Sequence, residues 1–393
     1  MGQGGTTVIG AEAVGTLSGD AVRVLDGRVL RVLGTLNHAG SGLLRFSYAS
    51  AVEIESGGVL DFQVDAVWNH YQGTPSSLRN AGTIRKSGGT GESRLETPRP
   101  VNEAGGLIEA ASGTLVLPVG VSGGGSFHSV PGATLSVPGS AELSDATFTG
   151  SGEQLFTSGT LTLSGSCSAE NVKLDGVQLA GTHRLAGNWE WAGGNWVGPG
   201  TTTIAPDGVV HLTGTAERLI THRTVDVEGG LLHEGDATLR FSYESLVHVK
   251  TGGEVELRSD AIWNHYQGGH SSIVNEGIFR KAAGEGVSQL TSMTMTNRGV
   301  LELEAGSLVT NSVTFNNGGT VQVESGELNL DGNGQSTGTW TTGEGTEVIF
   351  RGGTPQLESG SMVSGEGIMR VAGSSLLVNG EVEIPRLELA SGR

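Results

Sequence analysis

The feature that most constrains this chain is an internal duplication. LRFSYASAVEIESGG (residues 44–58) returns as LRFSYESLVHVKTGG (residues 239–253), and DAVWNHYQG from Asp65 returns as DAIWNHYQG from Asp260. Trp68 recurs as Trp263 and Asn80 as Asn275, an offset of 195 in both cases (263 − 68; 275 − 80). The register reaches back to TTVI at Thr6 against TTTI at Thr201 and forward to Asn102 against Asn297. Two offsets of this size nearly exhaust the 393 residues. The predicted organisation is therefore two tandem, continuous modules, 1–195 and 196–393.

Each module carries a shorter rhythm. Alternating runs recur at TLVL (Thr114), TLTL (Thr160), LELEAG (Leu301), TVQVESG (Thr320) and TEVIF (Thr346), the mark of half-buried strands. Gly306, Gly326 and Gly345 are spaced by about 20 residues, as are Asn80 and Asn102, which suits one coil of a stacked repeat. Glycine supplies 67 residues and aromatics only 5%, too few large side chains for a broad globular core. No window has an apolar stripe at helical spacing. The expected fold is all-β: a right-handed parallel β-helix (β-solenoid) with coils of about 20 residues. Some eighteen coils rising about 4.8 Å each would make a rod on the order of 85 Å long. Asn-x-Gly at Asn80, Asn275 and Asn297 and Asn-Asn-Gly-Gly at Asn316 are expected at sharp left-handed corners, with the asparagines stacked in a hydrogen-bonded ladder. The Asn297 and Asn316 segments both match the single Asn102 segment, which predicts one extra coil in the second module.

A formal net charge of −18 argues against nucleic acid as a partner. No run approaches the ~18 apolar residues of a membrane helix, so no membrane span is expected. The lone Cys167 excludes an intrachain disulfide and is expected to behave as a small buried hydrophobe. The chain opens inside a repeat motif at Met1 and stops inside another at LELASGR, which predicts a piece of a longer protein with uncapped ends open to self-association.

The stretches GNWEWAGGNWVGPGTTTI, RNAGTIRKSGGTGES and VNEGIFRKAAGEGVS, with the pattern Asn-x-Gly-x-x-x-Lys followed by Gly-x-Gly-x-Ser, resemble Gly-rich repeats of large bacterial secreted and surface proteins. Autotransporter-passenger and filamentous-haemagglutinin-like β-helices are similar over nearly the whole chain. That resemblance implies an extracellular or cell-surface location and an adhesive or structural role. It carries over no catalytic residue.

The duplicated DA[VI]WNHYQG element provides the candidate ligand-binding residues: Asp65, Trp68, Asn69, His70, Tyr71 and Gln72, with Asp260, Trp263, Asn264, His265, Tyr266 and Gln267. Aromatic faces beside amides and a carboxylate suit sugar rings, which makes cell-surface glycans the expected partners. The element breaks the alternation and reads as a loop leaving the coil. The competing reading has Trp and Tyr covering the solenoid flank, with Asn and His bonded to backbone. Trp189, Trp191 and Trp196 read as coil packing. Asp65, His70 and Arg45 are residue types an enzyme uses, but no acidic pair recurs on neighbouring coils. No zinc spacing or calcium repeat is present, so no catalytic residues, metal or cofactor are expected. The functional expectation is a non-catalytic stalk or adhesin-like binding shaft. The alternatives are a carbohydrate-active β-helix enzyme, either polysaccharide lyase or glycoside hydrolase, and a self-assembling spacer.

Overall fold

The computed structural model describes residues 4–391. Residues 1–3 and 392–393 lie outside them, and with these go Met1 and the last two residues on which the expectation about the chain ends was based. Among the described residues there is no helix, and every strand pairing is parallel. The chain divides into two compact units, one ending at Glu190 and one beginning at Trp191. Each is a parallel β-solenoid with coils of about 21 residues.

In the first unit each coil as far as Phe156 contributes one strand to each of three stacks, and beyond it the single strand Thr160–Leu174 runs through all three. Early rungs of the first stack are Thr6–Ile9, Val29–Val32, Ala51–Ile54 and Ser77–Asn80. The second contains Val14–Leu17, Thr35–His38, Val59–Phe62 and Thr83–Lys86. The third contains Arg23–Asp26, Leu44–Ser47, Val67–Gln72 and Glu92–Leu95. Strands of about four residues turn alternate side chains inward, and in-register stacking places like on like. Leu36, Leu60, Ile84, Ile108, Phe127 and Phe148 follow one another up the second stack, all buried. Each such side chain contributes about 1.5–3 kcal/mol on burial, so a thin aliphatic filling suffices when it is repeated on every rung.

The second unit repeats this plan. Thr224–Val227, Leu246–Val249, Ser272–Asn275, Thr294–Asn297 and Thr314–Asn317 stack in one column. Gly230–His233, Glu254–Leu257 and Ile278–Lys281 stack in another, and Leu239–Ser242 carries Ile262–Gln267 in the third. The first column has nine rungs in each unit, from Thr6–Ile9 to Gln178–Ala180 and from Thr201–Leu212 to Leu377–Asn379. The third column of the second unit has ten rungs, from Gly194–Val197 to Leu387–Ser391. In the second module the ladder asparagine is doubled, because Asn317 occupies a rung whose first-module counterpart, Val121–Gly123, has none.

The ladder forms, with a different chemistry at its corners. The amide of Asn80 donates to Oδ1 of Asn102 at 2.7 Å and to the Leu107 carbonyl at 3.0 Å. Asn275 donates to Asn297 at 2.7 Å and Asn297 to Asn317 at 2.9 Å. All five asparagines are buried, and none has a positive φ. They sit at the inward ends of strands, where the amide satisfies carbonyls that water cannot reach. Asn316, expected in the ladder, instead accepts from the backbone N–H of Gln335. The glycine two residues after Asn80, Asn275, Asn297 and Asn317 is required by closeness: a Cβ on Gly82 would lie 2.3 Å from the Gly58 carbonyl oxygen, and one on Gly277 2.2 Å from that of Gly253.

Candidate functional site

The duplicated WNHYQ element is a strand of the solenoid wall, Val67–Gln72 and Ile262–Gln267, and not a loop leaving it. Alternation therefore sends Trp68 and Trp263 inward, where both are completely buried. The indole N–H of Trp68 donates to Nδ1 of His38 at 2.8 Å, and His38 Nε2–H donates to the Gly42 carbonyl at 2.9 Å. Phe46 and Phe62 pack on the indole at 5.5 and 5.3 Å. In the second module Trp263 donates to His233 at 2.7 Å, flanked by Phe241 and Phe279 at 5.6 Å each. An indole donor locked onto an imidazole acceptor requires the neutral imidazole. Burial, with help from the Arg218 charge, holds His233 down at about 4, and burial likewise lowers His38. These tryptophans are core anchors, and a ligand on the surface does not meet their faces.

Asp65 and Asp260 are also committed. Lys86 is fully buried, and its ammonium donates to Asp65 Oδ1 at 2.7 Å and to the Gly88 carbonyl at 2.6 Å. The Gly91 N–H donates to the other carboxylate oxygen at 3.1 Å. The lysine hydrogen bond, reinforced by its charge, holds the Asp65 carboxyl below its ordinary range. Gly89 passes so close that a Cβ would lie 2.3 Å from Asp65 Oδ1, and Ser93 Oγ donates to the Val64 carbonyl at 2.9 Å. Lys281, Asp260, Gly284, Gly286 and Ser288 repeat the arrangement. The motif Asn-x-Gly-x-x-x-Lys…Gly-x-Gly-x-Ser is thus a structural clasp: ladder amide, close-packed glycine, buried ammonium, and a turn wrapped around its counter-ion.

Tyr71 and Tyr266 face outward. The strand pairs Phe46 with His70 and then Ser47 with Gln72, so Tyr71 is the extra residue of a β-bulge; Tyr266 is the same between His265 and Gln267. A bulge re-aims a side chain that strict alternation would have placed elsewhere. On the neighbouring rung Tyr48 and Ala49 have φ of 51° and 56°, and Tyr243 and Glu244 have 53° and 61°. Left-handed backbone at two successive non-glycine residues is costly and persists where the surroundings impose it. Here the bent backbone is tied by Tyr48 N–H to the Gln72 carbonyl at 3.1 Å, and by Tyr243 N–H to that of Gln267 at 2.9 Å. Each ring lies flat over a glycine, Gly73 or Gly268, where a Cβ would come within 2.5 or 2.3 Å of it.

The result in each module is a pair of exposed tyrosines beside an arginine. Tyr48 and Tyr71 are 46% and 56% exposed, Tyr243 and Tyr266 40% and 55%. The Arg45 guanidinium sits 5.0 Å above the Tyr71 ring and Arg240 4.7 Å above Tyr266. The second strip is larger: His222 stacks on Tyr243 at 4.4 Å, and Glu217 pairs with Arg240 at 2.7 Å. Gln72 and Gln267 are exposed at the strand ends. Asn69 and Asn264 each keep a buried carbonyl oxygen without a hydrogen-bond donor.

Sequence reasoning singled out the element and noted Arg45, but did not join His38, Lys86 and Tyr48 to it. All four recur at the module offset, as His233, Lys281, Tyr243 and Arg240, and that recurrence is the signal that links them. Elsewhere Trp189 packs edge-on against Phe148 at 5.7 Å, and Trp191 stacks on Trp196 at 4.3 Å, all three indoles buried. Cys167 is buried, which raises its thiol. Among the described residues, no group of three His, Cys, Asp or Glu side chains is placed to hold a metal ion. No family model matches the chain, and none of the curated proteins compared with it matches.

Proposed function

We propose that this chain is a non-catalytic β-solenoid, the stalk or binding shaft of a bacterial surface or secreted protein, which engages cell-surface glycans through its two tyrosine strips. The observation that carries the proposal is the repeated Arg45–Tyr48–Tyr71 arrangement at Arg240–Tyr243–Tyr266. Both modules keep two rings in solvent by means of a bulge and a strained left-handed pair. Packing does not require that expenditure, because the buried Trp–His and Lys–Asp contacts already fix the coil. An aromatic face with an adjacent guanidinium offers a sugar both a surface for its C–H groups and donors for its hydroxyls. Two equal sites on a repetitive scaffold suit multivalent attachment, where weak sites gain by linkage. The resemblance of its Gly-rich pattern to bacterial surface β-helices supports the location.

The test is a glycan array with the wild type and with the variant Y48A/Y71A/Y243A/Y266A. Exposed substitutions shift stability by about 0.5 kcal/mol or less each, so lost signals with an unchanged melting transition support the site. Unchanged signals reject it. A tryptophan variant is the wrong probe, because removing a buried indole costs about 3–5 kcal/mol and loosens the coil itself. Release of reducing sugar from bacterial or plant polysaccharides would overturn the non-catalytic reading.

A further inference from the structure

A groove of about 400 Å³ in the first unit is lined by His70, Pro75, Ser76, Thr97, Pro98 and Arg99. That volume falls among ligand pockets of about 300–1,000 Å³. His70 Nε2 lies 3.2 Å from the Gly73 carbonyl oxygen, so this nitrogen carries the proton and Nδ1 is left as an acceptor. Nδ1 has no donor and the Ser76 hydroxyl has no partner, and both atoms are covered from solvent. The second module closes the equivalent pair: Ser271 Oγ sits 3.2 Å from His265 Nδ1. There His270 replaces Pro75 and lies 5.5 Å from the His265 ring, while Met293 and Thr294 stand where the first module has Pro98 and Arg99. One copy satisfies itself and lacks the cation; the other leaves an acceptor and a hydroxyl unpaired at a groove that Arg99 also lines.

We infer that the first-module groove binds a hydroxylated carboxylate the size of one sugar-acid ring. Its carboxylate pairs with Arg99, while side-chain rotations uncover His70 Nδ1 to accept from a ring hydroxyl and turn the Ser76 hydroxyl onto a second ring oxygen. The rings of Pro75 and Pro98 form apolar walls. Charge-assisted pairing with arginine selects the acid over the neutral sugar. The groove is separate from the tyrosine strips and stands whether or not those bind glycans.

The test titrates D-glucuronate, with D-glucose as the neutral control, into the full chain while the histidine side-chain signals are followed by NMR. Glucuronate should move the His70 signals saturably and leave His265 in place, with glucose weaker by about tenfold or more. R99T, which installs the second module's residue at an exposed position, should weaken glucuronate by about tenfold while the ligand-free His70 signals stay where they are. S76A should weaken it to a lesser degree. The Y48A/Y71A/Y243A/Y266A variant should bind glucuronate as the wild type does, which separates this site from the strips. An unmoved His70 at saturating millimolar glucuronate, equal responses to the two sugars, or an R99T variant that binds normally would each overturn the inference.

Discussion

Acid should loosen this protein through His233, and the size of the effect follows from the structure. The imidazole is completely buried and accepts the Trp263 indole N–H at 2.7 Å. Burial first, and the Arg218 charge second, lower it from an ordinary 6.5 to about 4. Between pH 6.5 and 4 the unfolded chain holds a proton that the folded chain refuses, so stability rises with pH across that window. The contribution is complete above 6.5 and is lost as pH falls toward 4. At about 1.4 kcal/mol per pH unit the whole window amounts to about 3 kcal/mol, of which about 2.5 kcal/mol is gone at pH 4.5. The assay is urea unfolding of the wild type and of H233Q at pH 7.5 and 4.5, read together with hydrogen exchange of strand Gly230–His233. Exchange is needed because stacked coils open locally as well as globally. H233Q keeps an acceptor for the indole but cannot titrate. The wild type should therefore lose about 2.5 kcal/mol more than H233Q between the two pH values. Parallel losses in the two proteins would refute the reasoning.

Two further outcomes test the clasp and the ladder. D65N leaves the fully buried Lys86 ammonium without its counter-ion and should cost about 2–4 kcal/mol, reduced from the fully buried case because Asp65 is half exposed; K86M, which removes the charge itself, should cost less by denaturant titration. N297A removes the middle of a buried ladder and strips a partner from Asn275, so about 2–3 kcal/mol should be lost, with hydrogen-exchange protection falling first in the rungs Ser272–Asn275 and Thr314–Asn317.

The legible part of this protein came from periodicity. A duplication at constant offset, strands of about four alternating residues and a coil of about 20 residues leave a stacked parallel solenoid as the arrangement able to bury so few large side chains. The asparagine ladder was legible for the same reason, since residues one coil apart must meet. The direction of each side chain in the WNHYQ element was not legible. Alternation alone puts Trp68, His70 and Gln72 on one face, whereas the bulge at Tyr71 breaks that rule, and a bulge exists only relative to the rung beneath it. The mates of the buried groups were hidden likewise: His38 is 30 residues from Trp68, and Lys86 is 21 from Asp65. Sequence determined that the coils stack, because period and composition are local properties that add along the chain. Tertiary structure decided which duplicated residues are walled in and which reach solvent, because that choice depends on register between rungs, where a slip of one residue exchanges inside for outside.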